Sequence, residues 1–297
     1  MSGPSPEEIV ERLQELPLLP TVVMRMLALD HDSPDFFDHV VRLAREDPPF
    51  AVEILSAANS SEASPLMPML RLAEAVARMG ANHVLEMVTE VSVREVFVPN
   101  QPAHRFLWSH SLEVAGLARA LAGWTVFREI DSEVAYVCGL LHDVGRFVMF
   151  EEAPEEFGLV DGPDLDSPEK VIHSEREAWG FDHVELGLLA AKRLGLPEPL
   201  PTVIRLHHIP LNLLRRVGDI EFLMAALVQV SDVVALAIRD LPVDAHPPEY
   251  VKALERVAES RHWPDDLVEL DPLSMLIPGI RAEVDRSMCD LGLALAL

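Results

Sequence analysis

Only two cysteines, Cys138 and Cys289, occur in 297 residues, so no disulfide framework can staple this chain. A reducing, cytoplasmic setting is the expectation that follows. Positive charge is also scarce: 24 Lys and Arg face 49 Asp and Glu, for a net charge of −25 and a pI near 4.7. Such a field repels phosphate backbones, which argues against nucleic acid as a general partner and toward basic or apolar protein surfaces. The opening MSGPSPEE has no basic n-region followed by an apolar run, so no secretory signal is expected. The most apolar stretch, 222–238, is interrupted by Gln229, Ser231 and Asp232 and reads as a buried helix rather than a membrane span. Alternating apolar and polar runs are missing, as are internal repeats, heptad series and a Gly-rich phosphate loop.

What is present is helical spacing, with apolar residues at i, i+3, i+4 and i+7 in almost every long segment. The expected class is all-α. Hydrophobic residues are 49% of the chain, enough for a substantial core. Short helices are expected in the first hundred residues, with starts at Ser33-Pro34 and Asp47-Pro48 and a helix from Arg71 to Met79 ending at Gly80. One more helix is expected over 81–98, before a candidate boundary at 99–102. Beyond it, helices are expected near 104–122, 131–150, 168–179, 182–195, 199–208, 218–240, 247–262 and 279–294, with an acidic loop over 153–167. The expected organisation is an N-terminal helical part over 1–100, a helical core over 101–240 and C-terminal helices over 241–297.

Several of these apolar stripes carry a chemically active group. His110 shares its face with Phe106, Val114 and Leu117, and His142 continues the stripe Val134, Cys138 and is followed by Asp143. His183 lies with Leu186, Gly187 and Ala190, and Gly187 allows close backbone approach; Asp182 is placed to cap that helix, with Glu185 three residues later. His207 and His208 extend the stripe Leu200, Val203, Ile204, and Asp232 sits between Val228 and Leu236. A carboxylate in such a place is costly unless it is paired, hydrogen-bonded or bound to a cation.

Each residue has an ordinary reading too. A lone inward histidine can be hydrogen-bonded core, His208 can face a helix C-terminus, and Asp143 or Asp232 can pair with a backbone donor or a histidine. Five helical segments supplying at least one such group each favour convergence, since metal sites in helical bundles are built from facing helices. Histidine nitrogen with carboxylate oxygen suits Fe, Mn, Zn or Ni.

The order His110, His142-Asp143, His183, His207-His208, Asp232 resembles the metal-binding signature of the HD superfamily of phosphohydrolases. Over about residues 10–210 the chain resembles the HDOD family, through LPLLPTVVMRML (16–27), EDPPFAVEILSAANS (46–60), RLAEAVARMGANHV (71–84), LWSHSLEVAGLARALA (107–122), AYVCGLLHDVGRFVMF (135–150) and DHVELGLLAAKRLGLPEPLPTVIRLHH (182–208). The resemblance implies an HD-like helical bundle with an N-terminal helical subdomain. It also implies a bacterial signalling module acting through protein partners, with a two-metal site bridged by Asp143. The other expectation it carries is a metal-dependent phosphohydrolase on a nucleotide-type substrate, with Asp143 catalytic and Arg146 on the phosphate. The HDxGK string of many HD enzymes reads His142-Asp143-Val144-Gly145-Arg146 here, and arginine keeps the charge but not the ammonium geometry. HD-GYP phosphodiesterases carry a glutamate after the second histidine and then a GYP loop; this chain reads HHIPLNLL, which argues against cyclic-di-GMP hydrolysis of that type. A nucleotide bound without cleavage is a third, weaker reading. No receiver or catalytic output domain is recognised in the chain, so input and output are expected from another chain.

Overall fold

The structure is a computed structural model, and it describes residues 4–13, 16, 18–29, 33–60, 68–80, 83–84, 87, 99, 101–153, 157, 168–211, 220–242, 245–264 and 267–294. The expected helix over 81–98 and the acidic loop over 153–167 lie almost wholly outside them. All regular structure among the described residues is helical, as expected. In chain order the helices are α1 (Pro6–Arg12), α2 (Pro20–Leu27), α3 (Phe36–Glu46), α4 (Pro48–Asn59), α5 (Leu72–Met79), α6 (Pro102–Leu121) and α7 (Ser132–Leu141). They continue with α8 (Val144–Glu152), α9 (Pro168–Trp179), α10 (His183–Arg193), α11 (Leu200–Leu206), α12 (Ile220–Ile238), α13 (Pro247–Ser260) and α14 (Leu270–Asp290).

Proline starts many of them because its missing N–H costs nothing in a first turn. Pro20, Pro48, Pro102 and Pro247 all hold that position. Side chains cap others. Ser5 and Glu8 form a reciprocal capping box on α1, and Asp131 accepts from the Glu133 and Val134 amides to start α7. Asp182 accepts from the Glu185 amide at 2.9 Å, which fixes the start of α10 where the sequence places it.

Two segments depart from the expected boundaries. The stretch 131–150 is two helices, α7 and α8, joined through His142 and Asp143, whose φ/ψ of −100°/25° lies outside the helical range. Across that break the Arg146 amide bonds the Asp143 carbonyl at 2.8 Å. At the other end, α14 begins at Leu270 rather than near 279 and runs through Pro278. Leu273, Ile277, Val284 and Met288 form one buried stripe on both sides of that proline, and their burial holds the helix together across it.

The core is continuous from Ile9 to Leu293. α12 is long and apolar enough to span a bilayer by length and composition; here it is packed by α6, α7, α11 and α13. α6 and α7 pack closely because Gly139 has no side chain: a Cβ there would meet the Ala115 Cα at 2.9 Å. α8 and α10 cross at a second glycine contact. A Cβ on Gly145 would lie 2.0 Å from the His183 carbonyl oxygen and 2.7 Å from the Gly187 amide. This approach of two backbones is what sets His183 beside Asp143.

Candidate metal centre

The seven groups singled out in the sequence meet in one buried place. His110 comes from α6, His142 and Asp143 from the α7–α8 break, His183 from the first position of α10, His207 and His208 from the end of α11, and Asp232 from the middle of α12. Asp143 is the hub. Its Oδ1 lies 3.4 Å from both His183 Nε2 and His207 Nε2, and its Oδ2 lies 3.6 Å from His142 Nε2 and 4.0 Å from His110 Nε2. Asp232 closes the far side, with Oδ1 3.2 Å from His110 Nε2 and Oδ2 4.0 Å from His208 Nδ1. Ligand atoms fall into two groups compact enough for one cation each: Asp143, His183, His207, His208, and His110, His142, Asp143. Asp143 belongs to both.

The outer nitrogens of the imidazoles are tied back. His142 Nδ1 bonds the Gly139 carbonyl at 2.8 Å and His207 Nδ1 bonds the Ile204 carbonyl at 2.8 Å. A carbonyl only accepts, so both Nδ1 atoms carry a proton and both Nε2 atoms face Asp143, where a neutral imidazole presents a lone pair. With both rings neutral, acceptor faces acceptor across 3.4–3.6 Å. Among the described residues His142 Nε2, His207 Nε2, Asp143 Oδ1, His208 Nδ1 and Asp232 Oδ2 make no hydrogen bond although all are buried. Buried acceptors left so are expensive, and a shared cation removes the cost. The donor set and its orphaned atoms therefore fit divalent metal ions, and ligating histidines braced through the opposite nitrogen are the usual pattern around such ions.

Sequence reasoning missed Glu175. This α9 carboxylate accepts from the His183 amide at 3.0 Å and lies 2.6 Å from His183 Nδ1. It is 1% exposed, between Val171 and Trp179 at i±4, so the signal was an acid on an inward helical stripe eight residues before His183. Arg146 lies between the two acids, with Nε 3.4 Å from Glu175 Oε1 and Nη1 3.9 Å from Asp143 Oδ2.

Electrostatics follow this wiring. Burial disfavours an ionised Asp143, yet His142, His183, His207 and Arg146 outweigh it and hold the carboxyl well below its ordinary range. Burial pushes His142 down to about 4. Burial also opposes a charged His183, but Glu175 and Asp143 win and raise it to about 9. His208 is driven well below the ordinary histidine value by burial and by the neighbouring His207 and His183, whose Nε2 is 2.9 Å from its own. His110 is desolvated as well, and the hydrogen bond and charge of Asp232 more than compensate, raising it. Without a cation the cluster is thus a mixture of neutral and charged imidazoles around two ionised carboxylates.

Comparison with known proteins places this geometry. The HDOD domain model matches residues 16–210. An uncharacterized protein of Treponema pallidum is 26% identical over 204 residues, which are 67% of this chain and 39% of that one. Ribonuclease Y of Thermus thermophilus is 31% identical over 154 residues, 51% of this chain and 20% of that enzyme. The chain therefore spans well under half the length of these relatives. Among solved structures, a Campylobacter jejuni virulence factor superposes with a TM-score of 0.66 at 16% identity, over 94% of this chain and 96% of that one. The MmoQ response regulator of Methylococcus capsulatus gives a TM-score of 0.64 at 19% identity, over 82% and 94%. At such identities the two structures share the fold. The family match covers about two thirds of the sequence and contains six of the seven clustered residues: this chain belongs to the HDOD domain family.

Proposed function

We propose that this chain is a regulatory HDOD module whose core holds two divalent cations and whose output passes through a protein partner. The observation that carries the metal assignment is the pair of Nε2 atoms, on His142 and His207, braced from behind and aimed at the shared carboxylate of Asp143 without a hydrogen bond. His183, His207 and His208 with Asp143 would hold one ion, His110 and His142 with Asp143 the other, and Asp232 lies within reach of His110 and His208. Fe, Mn, Zn and Ni all suit these donors. When bound, such ions neutralise the buried carboxylates, tie α6, α7, α10 and α11 together and supply Lewis acidity.

Access favours regulation over turnover. His208 is the most exposed of the seven, with 13% of its side chain accessible, and the cleft beside it has a volume of about 60 Å³. Pockets that enclose a nucleotide-sized ligand run from about 300 Å³ upward. Arg146 is only 4% exposed and engaged with Glu175 and Asp143, which suits a bracing role at the carboxylates. The acidic exterior suits a partner with a basic or apolar surface, and the free cysteines, one of them buried, suit the cytoplasm.

A metal-dependent phosphohydrolase is the second reading, favoured by Arg261, which lines the same small cleft as His207 and His208. A phosphate entering there would meet a guanidinium and the exposed edge of the cluster together. In that reading Asp143 would orient the ions and Arg146 would keep Asp143 and Glu175 in place.

Elemental analysis of protein purified without chelator tests the metal assignment. Two equivalents are expected in the parent, about one in His208→Ala and almost none in Asp143→Ala. A metal-free parent with a normal fold would remove the assignment. A screen of phosphodiesters and nucleotides with Mn- or Fe-loaded protein separates the two functions: turnover abolished in Asp143→Ala would replace regulation with hydrolysis. Affinity capture with the intact chain, compared with a surface-charge variant, tests the partner.

A further inference from the structure

Outside the cluster, a cavity of about 520 Å³ opens between α6, the end of α12 and α14. One wall is apolar, formed by Phe106, Met288 and Leu293, and three arginines reach it from three elements: Arg105 on α6, Arg239 just beyond α12 and Arg281 on α14. In a chain with twice as many acids as bases, this lining reverses the balance: among its described residues two acids, Glu113 and Asp285, oppose the three guanidiniums.

The three arginines are not equivalent. Arg281 is fixed: its Nε lies 3.3 Å from Glu113 Oε1, and its Nη1 donates to the Leu241 carbonyl at 2.8 Å. Its charge is largely answered by Glu113. Arg239 lies with its guanidinium carbon 5.4 Å from the centre of the Phe106 ring. Its neighbour Asp240, at 3.6 Å, is 93% exposed, so that ion pair is screened by water. Arg105 reaches the Pro99 carbonyl through Nε at 3.5 Å, and among the described residues no carboxylate pairs with it. Positive charge with no carboxylate partner among the described residues therefore lies at Arg105, in the same lining as the apolar Phe106, Met288 and Leu293.

Chemistry of this kind selects its ligand. Inorganic phosphate would satisfy the arginines and leave Met288 and Leu293 against water. A neutral apolar molecule would strand the guanidiniums. An organic anion with one charged end and an apolar or planar body satisfies both, and the cavity volume falls within the range of small-molecule sites. We propose that this cavity binds a small amphipathic anion, with its carboxylate or phosphate held by Arg105 and its body against Phe106, Met288 and Leu293. Phe106 also stacks on His110 with ring centres 5.5 Å apart, so the cavity wall backs onto the metal centre without sharing its ligands. The site is independent of whether the cluster holds metal.

Calorimetry of the intact chain against octanoate and adenosine monophosphate, with and without chelator, tests the assignment and separates an acyl body from a nucleoside one. Saturable binding of at least one anion is expected, with or without chelator. Arg105→Gln should weaken it about tenfold, as expected for the loss of a charge-assisted contact. Ala294→Trp, which places a large side chain at the exposed mouth, should abolish it. No saturable binding of either anion, or binding that either variant leaves unchanged, would overturn the proposal. Elemental analysis reads the cluster separately, so failure here leaves the metal assignment standing and the converse also holds.

Discussion

Glu175 Oε2 lies 2.6 Å from His183 Nδ1, and this contact decides which nitrogen of that imidazole looks at Asp143. The same oxygen accepts from the His183 backbone amide at 3.0 Å, so the side chain and the start of α10 are fixed by one carboxylate. A buried acid that orients a ligating histidine commonly changes metal affinity by about 10–100-fold when lost. Glu175→Ala is expected to weaken binding by that order, and Glu175→Gln by less, because the amide oxygen still accepts from Nδ1–H. Competition against a chromophoric chelator measures both. Parent-like affinity in the alanine variant would take Glu175 out of the metal site.

Removing the metal should soften the whole molecule, since the ligands come from α6, the α7–α8 break, α10 and the end of α11. A ligand held a thousandfold above its dissociation constant stabilises the native state by about 4 kcal/mol. Chelator treatment should therefore lower the thermal midpoint of the parent by several degrees. In Asp143→Asn the midpoint should be insensitive to chelator, because the bridging charge is gone. Equal shifts in both proteins would show that chelator acts elsewhere.

Gly145 tests the backbone side of the same site. An added Cβ would sit 2.0 Å from the His183 carbonyl oxygen, a backbone atom that cannot rotate away. Gly145→Ala should force α8 and α10 apart and cost about 3 kcal/mol, at the upper end of overpacking penalties. It should also lose metal, because His183 moves with the carbonyl. Urea denaturation gives the first quantity and elemental analysis the second; a fully stable, metal-loaded variant would contradict the packing described.

Legibility followed local chemistry. The stripe through His110, Val114 and Leu117 put the histidine on the inner face of α6, and the Asp182 cap marked the start of α10, because both depend on neighbours within one or two turns. Gly187 was readable as a close approach, but its partner Gly145 was not, since the clash involves a backbone carbonyl distant in sequence. The break at His142-Asp143 was hidden because the apolar pattern runs on through Val144, Phe147 and Val148; all three are buried on the next helix. Glu175 looked like one more acid on a polar helix with exposed Arg176 and Glu177 beside it. Its place between Val171 and Trp179 is a faint signal, and its role is seen from its three-dimensional neighbours, His183 and Arg146.

Asp47, which is not one of the clustered ligands, makes stability depend on pH. Fully buried at the start of α4, it accepts a hydrogen bond from Trp108 Nε1 at 3.0 Å, while its other oxygen has no partner among the described residues. Burial raises its pKa from 3.8 to about 7, against the opposing effect of the Trp108 and Leu19 donors. The folded chain therefore keeps a proton that the unfolded chain releases between about pH 4 and 7. More protons bound when folded means stability falls as pH rises through that window and stays reduced above it. Asp47→Asn keeps an oxygen for Trp108 and cannot ionise. The variant should match the parent near pH 4 and exceed it by a few kcal/mol, about 2 to 4, at pH 8. Comparing the two proteins at each pH cancels the titration of the histidine cluster, which they share. Urea midpoints at several pH values supply the measurement, and a difference that does not change with pH would mean Asp47 is ionised in the folded state throughout.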